Sequence, residues 1–286
     1  MMKKSYFERY LLPVIITTLI LVMPLGFIGC NKVTDREVIS NVLDAYSKST
    51  TYSVEKNITA VTNVVGGNRP GTRSTGQNST GIIDIESRRF EINVMQDGSP
   101  LSGLQTFSRM FLENEWLYIK SDILNYEDKD HEIWVKLDLG DEQLNRNDRL
   151  WKDNNPLGQQ IKLLSTATEI TSMRSENIDG TDTYVLEIKP DWQVLTDWVS
   201  LQPPWQGPRL IDFPDLAKSL SFRLWISKET YLVLKSTIEV EFEMVSFDSS
   251  KSTVVLKGEL KFKNYDEPFN LELPQEALEA IEGPIS

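Results

Sequence analysis

Residues 231–244 read YLVLKSTIEVEFEM. Leu232, Leu234, Ile238, Val240, Phe242 and Met244 occupy one phase of a two-residue period; Lys235, Thr237, Glu239, Glu241 and Glu243 occupy the other. Successive side chains of a strand point to opposite faces, so this pattern describes a long strand with one buried and one wet face. Residues 254–263 repeat it, with Val254, Leu256, Leu260 and Phe262 set against Lys257, Glu259, Lys261 and Lys263. Asp248, Ser249 and Ser250 lie between the two runs, and the pair reads as a long antiparallel hairpin.

Shorter alternating runs precede the hairpin. They centre on Ile83 and Ile85, on Phe90, Ile92 and Val94, on Leu117 and Ile119, on Ile133 to Leu139, on Tyr184 to Ile188 and on Phe222 to Ile226. Ile178-Asp179-Gly180 reads as a turn into the Tyr184 strand, with Gly180 free to take positive φ. Helical spacing is confined to a few segments. Val38, Val42, Leu43 and Tyr46 predict a helix over about Asp35 to Lys48. Leu157, Ile161 and Leu164 predict another over 157–170; a third spans 191–201, capped by Asp191. Pro203, Pro204 and Pro208 end that region, and Pro274 opens a short final helix. Gly66–Ser79 and Asp122–Glu132 are polar and read as flexible connections.

The sum is an α+β chain, mainly antiparallel β, of about ten or eleven strands. One face of such a sheet is apolar and must be covered. A strongly curved, unclosed barrel wrapped around its own helices satisfies that need, in a single domain from residue 30 to 286.

The N-terminus is of a different kind. Lys3, Lys4 and Arg9 precede an uncharged run from Leu11 to Gly29, the layout of a secretory signal. The run ends at Cys30, the one cysteine of the chain, and resembles the lipobox of bacterial lipoproteins, with small Gly29 before the cysteine and Phe27 where leucine is usual. That resemblance implies cleavage of residues 1–29, diacylglycerol on Cys30, and residence on the extracytoplasmic side of a cell membrane. The competing reading is an uncleaved transmembrane anchor. The run approaches the ~20 residues that span a bilayer, but Pro13 and Pro24 break a regular helix. Loss of residues 1–29 removes three basic residues and one acid, leaving a net charge of −14. Such a surface repels phosphate backbones, so nucleic acid is not an expected partner.

Catalytic signals are sparse. The single histidine, His131, lies in the charged run Glu127–Glu132 with no nucleophile motif beside it, and no G-x-S-x-G, Walker or Rossmann glycine pattern occurs. Zinc sites draw on several His or Cys ligands, which this composition does not supply. No enzyme activity, metal or cofactor is expected.

The order of segments resembles the LolA/LolB and LppX/LprG superfamily of lipid-carrying lipoproteins. The residues that carry the resemblance are Gly180 to Tyr184 leading into Val185-Leu186-Glu187-Ile188, Arg223 to Thr230 with its Trp225-Ile226 pair, Phe262-Lys263-Asn264-Tyr265, and Leu271-Glu272-Leu273-Pro274. It implies a half-barrel whose hollow, between sheet and helices, holds acyl chains. The residues expected to line that hollow come from the hairpin: Leu232, Leu234, Ile238, Val240, Leu256, Leu260 and Phe262. Trp192, Trp198 and Trp205 cluster around the proline loop, and amphipathic rings there suit a lid or entrance. The expected function is noncatalytic binding or carriage of a lipid or other amphiphile. The alternative is a sensor or protein-interaction lipoprotein of the same fold with a filled core and no ligand.

Overall fold

The computed structural model describes residues 33–66, 70–97, 106–122, 133–139, 144–202, 217–245 and 251–282. Cys30, the expected signal segment, His131, Trp205, the prolines at 203, 204 and 208 and the turn expected at Asp248–Ser250 lie outside these residues.

The described strands are β1 (Thr51–Val65), β2 (Gly71–Asp84), β3 (Arg89–Asp97), β4 (Thr106–Glu113), β5 (Trp116–Ser121), β6 (Trp134–Asp138), β7 (Glu169–Ile178), β8 (Thr181–Lys189), β9 (Ala217–Ser227), β10 (Val233–Val245), β11 (Lys251–Lys263) and β12 (Ile281–Glu282). The helices are α1 (Asp35–Lys48), α2 (Leu144–Asp153), α3 (Pro156–Ser165), α4 (Trp192–Ser200) and α5 (Gln275–Leu278). All twelve strands form one sheet in the order β12-β6-β5-β4-β3-β2-β1-β11-β10-β9-β8-β7, and its two ends do not pair. Every pairing is antiparallel except β12 with β6. The half-barrel expectation holds. β1 lies between β2 and β11, so early and late parts of the chain meet mid-sheet.

The hairpin is β10 and β11, in register from Lys235 opposite Lys261 to Val245 opposite Lys251. Its inward phase, Ser236, Ile238, Val240 and Phe242 on β10 with Val254, Leu256, Leu260 and Phe262 on β11, is buried. The wet phase carries cross-strand ion pairs: Lys235 with Glu259 at 2.6 Å, Lys257 with Glu239 at 2.8 Å and Lys263 with Glu55 at 2.9 Å. Exposed pairs of this kind contribute little stability each. Strict alternation fails at one end. The β9–β10 register shifts between Val233 and Lys235, a bulge that buries Val233 and leaves Leu232 and Leu234 half-buried.

Two further departures have local causes. Gly66–Ser79, with its Gly, Thr, Ser and Asn, reads as a flexible connection, yet its part from Gly71 onward joins the expected Ile83 strand as β2, because β1 and β3 offer it a backbone ladder on both sides. The helix expected over 157–170 stops at Ser165, and Glu169 already belongs to β7.

α1 and α4 follow their sequence signals. Thr34 caps α1 in a reciprocal capping box with Glu37, and Asp191 caps α4 through the amides of Gln193 and Val194. α3 starts at Asn155-Pro156; the Asn155 side chain accepts from the Gly158 amide at 2.9 Å. The Tyr52 hydroxyl, buried in the sheet, donates to Asn155 Oδ1 at 2.8 Å and accepts from the Leu157 amide at 3.2 Å. Asn155 Nδ2 donates to the Tyr46 hydroxyl of α1 at 3.3 Å. One asparagine thus ties α1, α3 and β1 together. Burial pushes the Tyr52 hydroxyl well above its ordinary pKa, so it stays protonated as the donor to Asn155.

α4 reaches the sheet at Gly258. A Cβ there would stand 2.8 Å from Ile58 Cδ1, 2.9 Å from Ile238 Cγ2 and 3.5 Å from the Trp198 ring. The missing side chain makes the seat for that indole.

Two substitutions test these contacts. Gly258→Val overpacks the seat and should cost about 1–3 kcal/mol in urea unfolding. Tyr52→Phe strips the buried Leu157 amide of its partner and should cost about 1–3 kcal/mol, against a smaller loss for Tyr46→Phe.

Candidate functional site

The hairpin residues expected to line a hollow divide into two groups. Ile238, Val240, Leu256, Leu260 and Phe262 are at most 2% exposed and belong to the main core. The helices and neighbouring strands fill the space over them. Leu232 and Leu234, next to the bulge, keep partial exposure.

A cleft of about 770 Å³ lies elsewhere, among α1, α2, α3 and α4. Its apolar lining is Trp151, Leu163, Val194, Trp198 and Leu201, with Trp192 at 37% exposure. Asn155 and Tyr46, the two partners in the clasp described above, also line it. The helices meet here because α3 is fixed by Tyr52 and α4 by the Gly258 seat. The cleft brings together two of the three tryptophans expected at an entrance, Trp192 and Trp198.

Charge gathers around this lining. Arg88, in the β2–β3 turn, reaches Asp148 of α2 at 2.8 Å, and Lys152 approaches the same carboxylate at 3.4 Å. Arg149 pairs with Asp153 at 3.5 Å. Burial raises the Asp153 pKa, with Arg149 pulling against it. Asp197 accepts from the Gln193 side chain at 3.1 Å. Lys162, exposed on α3, completes the polar rim. Aromatic and aliphatic walls under a mixed-charge rim suit a molecule with an apolar body and a polar end.

Several buried polar atoms of the helical layer and of the sheet beneath lack a hydrogen-bond partner: Nε2 and Oε1 of Gln160, Nε1 of Trp198, Oε1 of Gln202 and Oγ of Ser236. Trp198 is both a wall of the cleft and an unused donor.

Sequence reasoning missed Trp151, Asn155, Leu163 and Val194 as lining residues. Asn155-Pro156 was a readable signal, since an Asx residue before proline is a helix start. A second omission is Lys56. It interrupts the apolar inward phase Tyr52, Val54, Ile58, Ala60 of β1, so alternation alone marked it as a charge on the buried face. Burial lowers its pKa to about 8.

Among the described residues, no group of three or more His, Cys, Asp or Glu side chains could hold a metal ion. No described helix is long and apolar enough to cross a membrane.

No protein-family model matches the chain, and no curated protein sequence matches it. Among solved structures it is similar to the Mycobacterium tuberculosis lipoprotein LppX, at 13% identity and a TM-score of 0.40, over 84% of this chain and 100% of that one. It is also similar to a DUF1329 family protein from Desulfovibrio piger, at 13% identity and a TM-score of 0.26, over 82% of this chain and 94% of that one. A third likeness is to the ywiB protein from Bacillus subtilis, at 5% identity and a TM-score of 0.19, over 75% and 96% of the two chains.

Proposed function

We propose that this protein is a noncatalytic binder of a lipid or other amphiphile, tethered to a cell membrane by lipid on Cys30 and facing the extracytoplasmic side. The observation that carries the binding reading is the cleft among α1–α4. Its volume of about 770 Å³ falls in the ~300–1,000 Å³ range of small-molecule sites. Its walls are apolar and its rim charged. Burial of an acyl chain there gains about 25 cal/mol per Å² of apolar area removed from water. Trp192 and Trp198, which line it, act as its entrance.

A filled sheet face favours one other reading. Since five of the seven hairpin residues pack as dry core, the half-barrel also serves as a scaffold that docks a partner protein with no ligand inside.

Native mass spectrometry after gentle extraction separates the two. The amphiphile reading expects a co-purifying mass of a few hundred daltons or more, lost on Val194→Glu, which places a carboxylate on the apolar wall. A protein that is empty and takes up no lipid overturns carriage and leaves the docking reading. The tether has its own test. Cys30→Ser should move the protein from the membrane fraction to the soluble fraction after cell disruption; retention at the membrane would point to the uncleaved anchor.

A further inference from the structure

The face of the sheet that points away from the core carries a second cavity, of about 460 Å³. The strand register explains its lining. Glu259, Asn57, Asn78, Met95 and Phe107 form one cross-strand row from β11 to β4, and Lys261, Glu55, Thr80 and Asn93 form the next row but one. Both rows belong to the outward phase, opposite to buried Val54 and Ile58 of β1 and Leu260 of β11. The row between them, Lys56, Ser79 and Val94, is of the inward phase, so its backbone forms the floor of the groove. None of these residues lines the cleft among the helices.

Charge cancels within the groove. Lys263 holds Glu55 at 2.9 Å, and Glu259 is held by Lys235 at 2.6 Å and Lys261 at 3.3 Å. The remaining side chains are neutral: exposed Asn57, Asn78 and Thr80, half-buried Asn93, and Met95 and Phe107 at 42% and 41% exposure. Asn57 Nδ2 donates to Asn78 Oδ1 at 2.7 Å. That bond fixes both amides across the strands, yet it engages neither the Asn57 oxygen nor the Asn78 N–H groups. Asn57 and Phe107 stand three strands apart, about 14 Å at sheet spacing, the length of a short oligosaccharide.

We propose that this outer groove binds a neutral oligosaccharide. A pyranose ring presents adjacent hydroxyls, each both donor and acceptor, and an apolar C–H face. The Asn57–Asn78 pair sets an oxygen and N–H groups side by side for such hydroxyls, Thr80 and Asn93 extend the polar row, and the Phe107 ring takes the C–H face. A fatty chain laid here would bury the amides without partners, and an ion of either sign would meet carboxylates and ammoniums that are already paired. The inference goes beyond the amphiphile reading, since both the ligand class and the face of the sheet differ.

The test uses the full chain in a detergent without a sugar headgroup. Saturation-transfer NMR and calorimetry probe cellotriose, maltotriose and tri-N-acetylchitotriose. At least one should bind, with saturation strongest on the C–H protons of a ring. Asn78→Ala and Phe107→Ala, both at exposed positions, should each weaken that binding about tenfold. Phe107→Trp, which keeps an aromatic face, should retain it. If none of the sugars binds, or if binding survives the Asn78→Ala, Phe107→Ala double substitution, the inference is overturned and the cleft reading stands. Capture of a protein through this face with no sugar bound overturns it as well.

Discussion

The hydroxyl of Tyr52 decides where the helical layer sits. It lies inside the core at 0% exposure, yet it is fully bonded, donating to Asn155 and accepting from the amide of Leu157. A buried phenol without those partners would cost free energy, so the sheet position and the start of α3 are coupled. Asn155 extends the coupling. It caps α3 through Gly158 and reaches Tyr46 on α1, while Gly158 leaves room for both, since a Cβ there would stand within 3 Å of Asn155 and Tyr46. Aromatic packing supports the arrangement, with Phe262 edge-on to Tyr52 at 5.9 Å and Tyr265 at 6.1 Å. Tyr265 is itself anchored by a 2.6 Å bond to the carbonyl of Val233, at the bulge.

Once α3 is fixed, the rest of the helical layer has little freedom. α4 lowers Trp198 onto the glycine of β11, and the ring seals Ile58 and Ile238. This close approach is what fills the hollow over the hairpin. Open space lies instead in the cleft bounded by α1, α2, α3 and α4, which Trp198 also lines. The same residue closes one space and walls another. Over β3–β5 the inward Phe90, Ile92, Leu112 and Leu117 are buried, while Val94, Met110 and Ile119 keep partial exposure. The inward face is uneven: half-buried Val94, Met110 and Ile119 lie among sealed neighbours, and Lys56 interrupts the apolar phase of β1.

Much of this was legible in the residues themselves. The alternation in 231–244 and 254–263 located a long hairpin, and Asp191 and the spacing of Val38, Val42 and Tyr46 located helices, because each rests on residues near in sequence. The turn at Asp179-Gly180, both with positive φ, is local in the same sense. The bulge at Val233–Leu234 was not legible, since it arises from how β9 meets β10. Nor was β2, whose polar residues become a strand through pairing on both edges.

The sequence by itself determined the class of the fold and the character of its faces: one long apolar phase and one charged phase. Periodicity is a property of the chain alone, so these needed no knowledge of neighbours. Tertiary structure decided where empty space remains. Whether an apolar side chain lines a hollow or packs a core depends on what reaches it from residues 60 to 103 positions away. Asn155 meeting Tyr52, and Trp198 meeting Gly258, settle that for the hairpin and place the cleft among the helices.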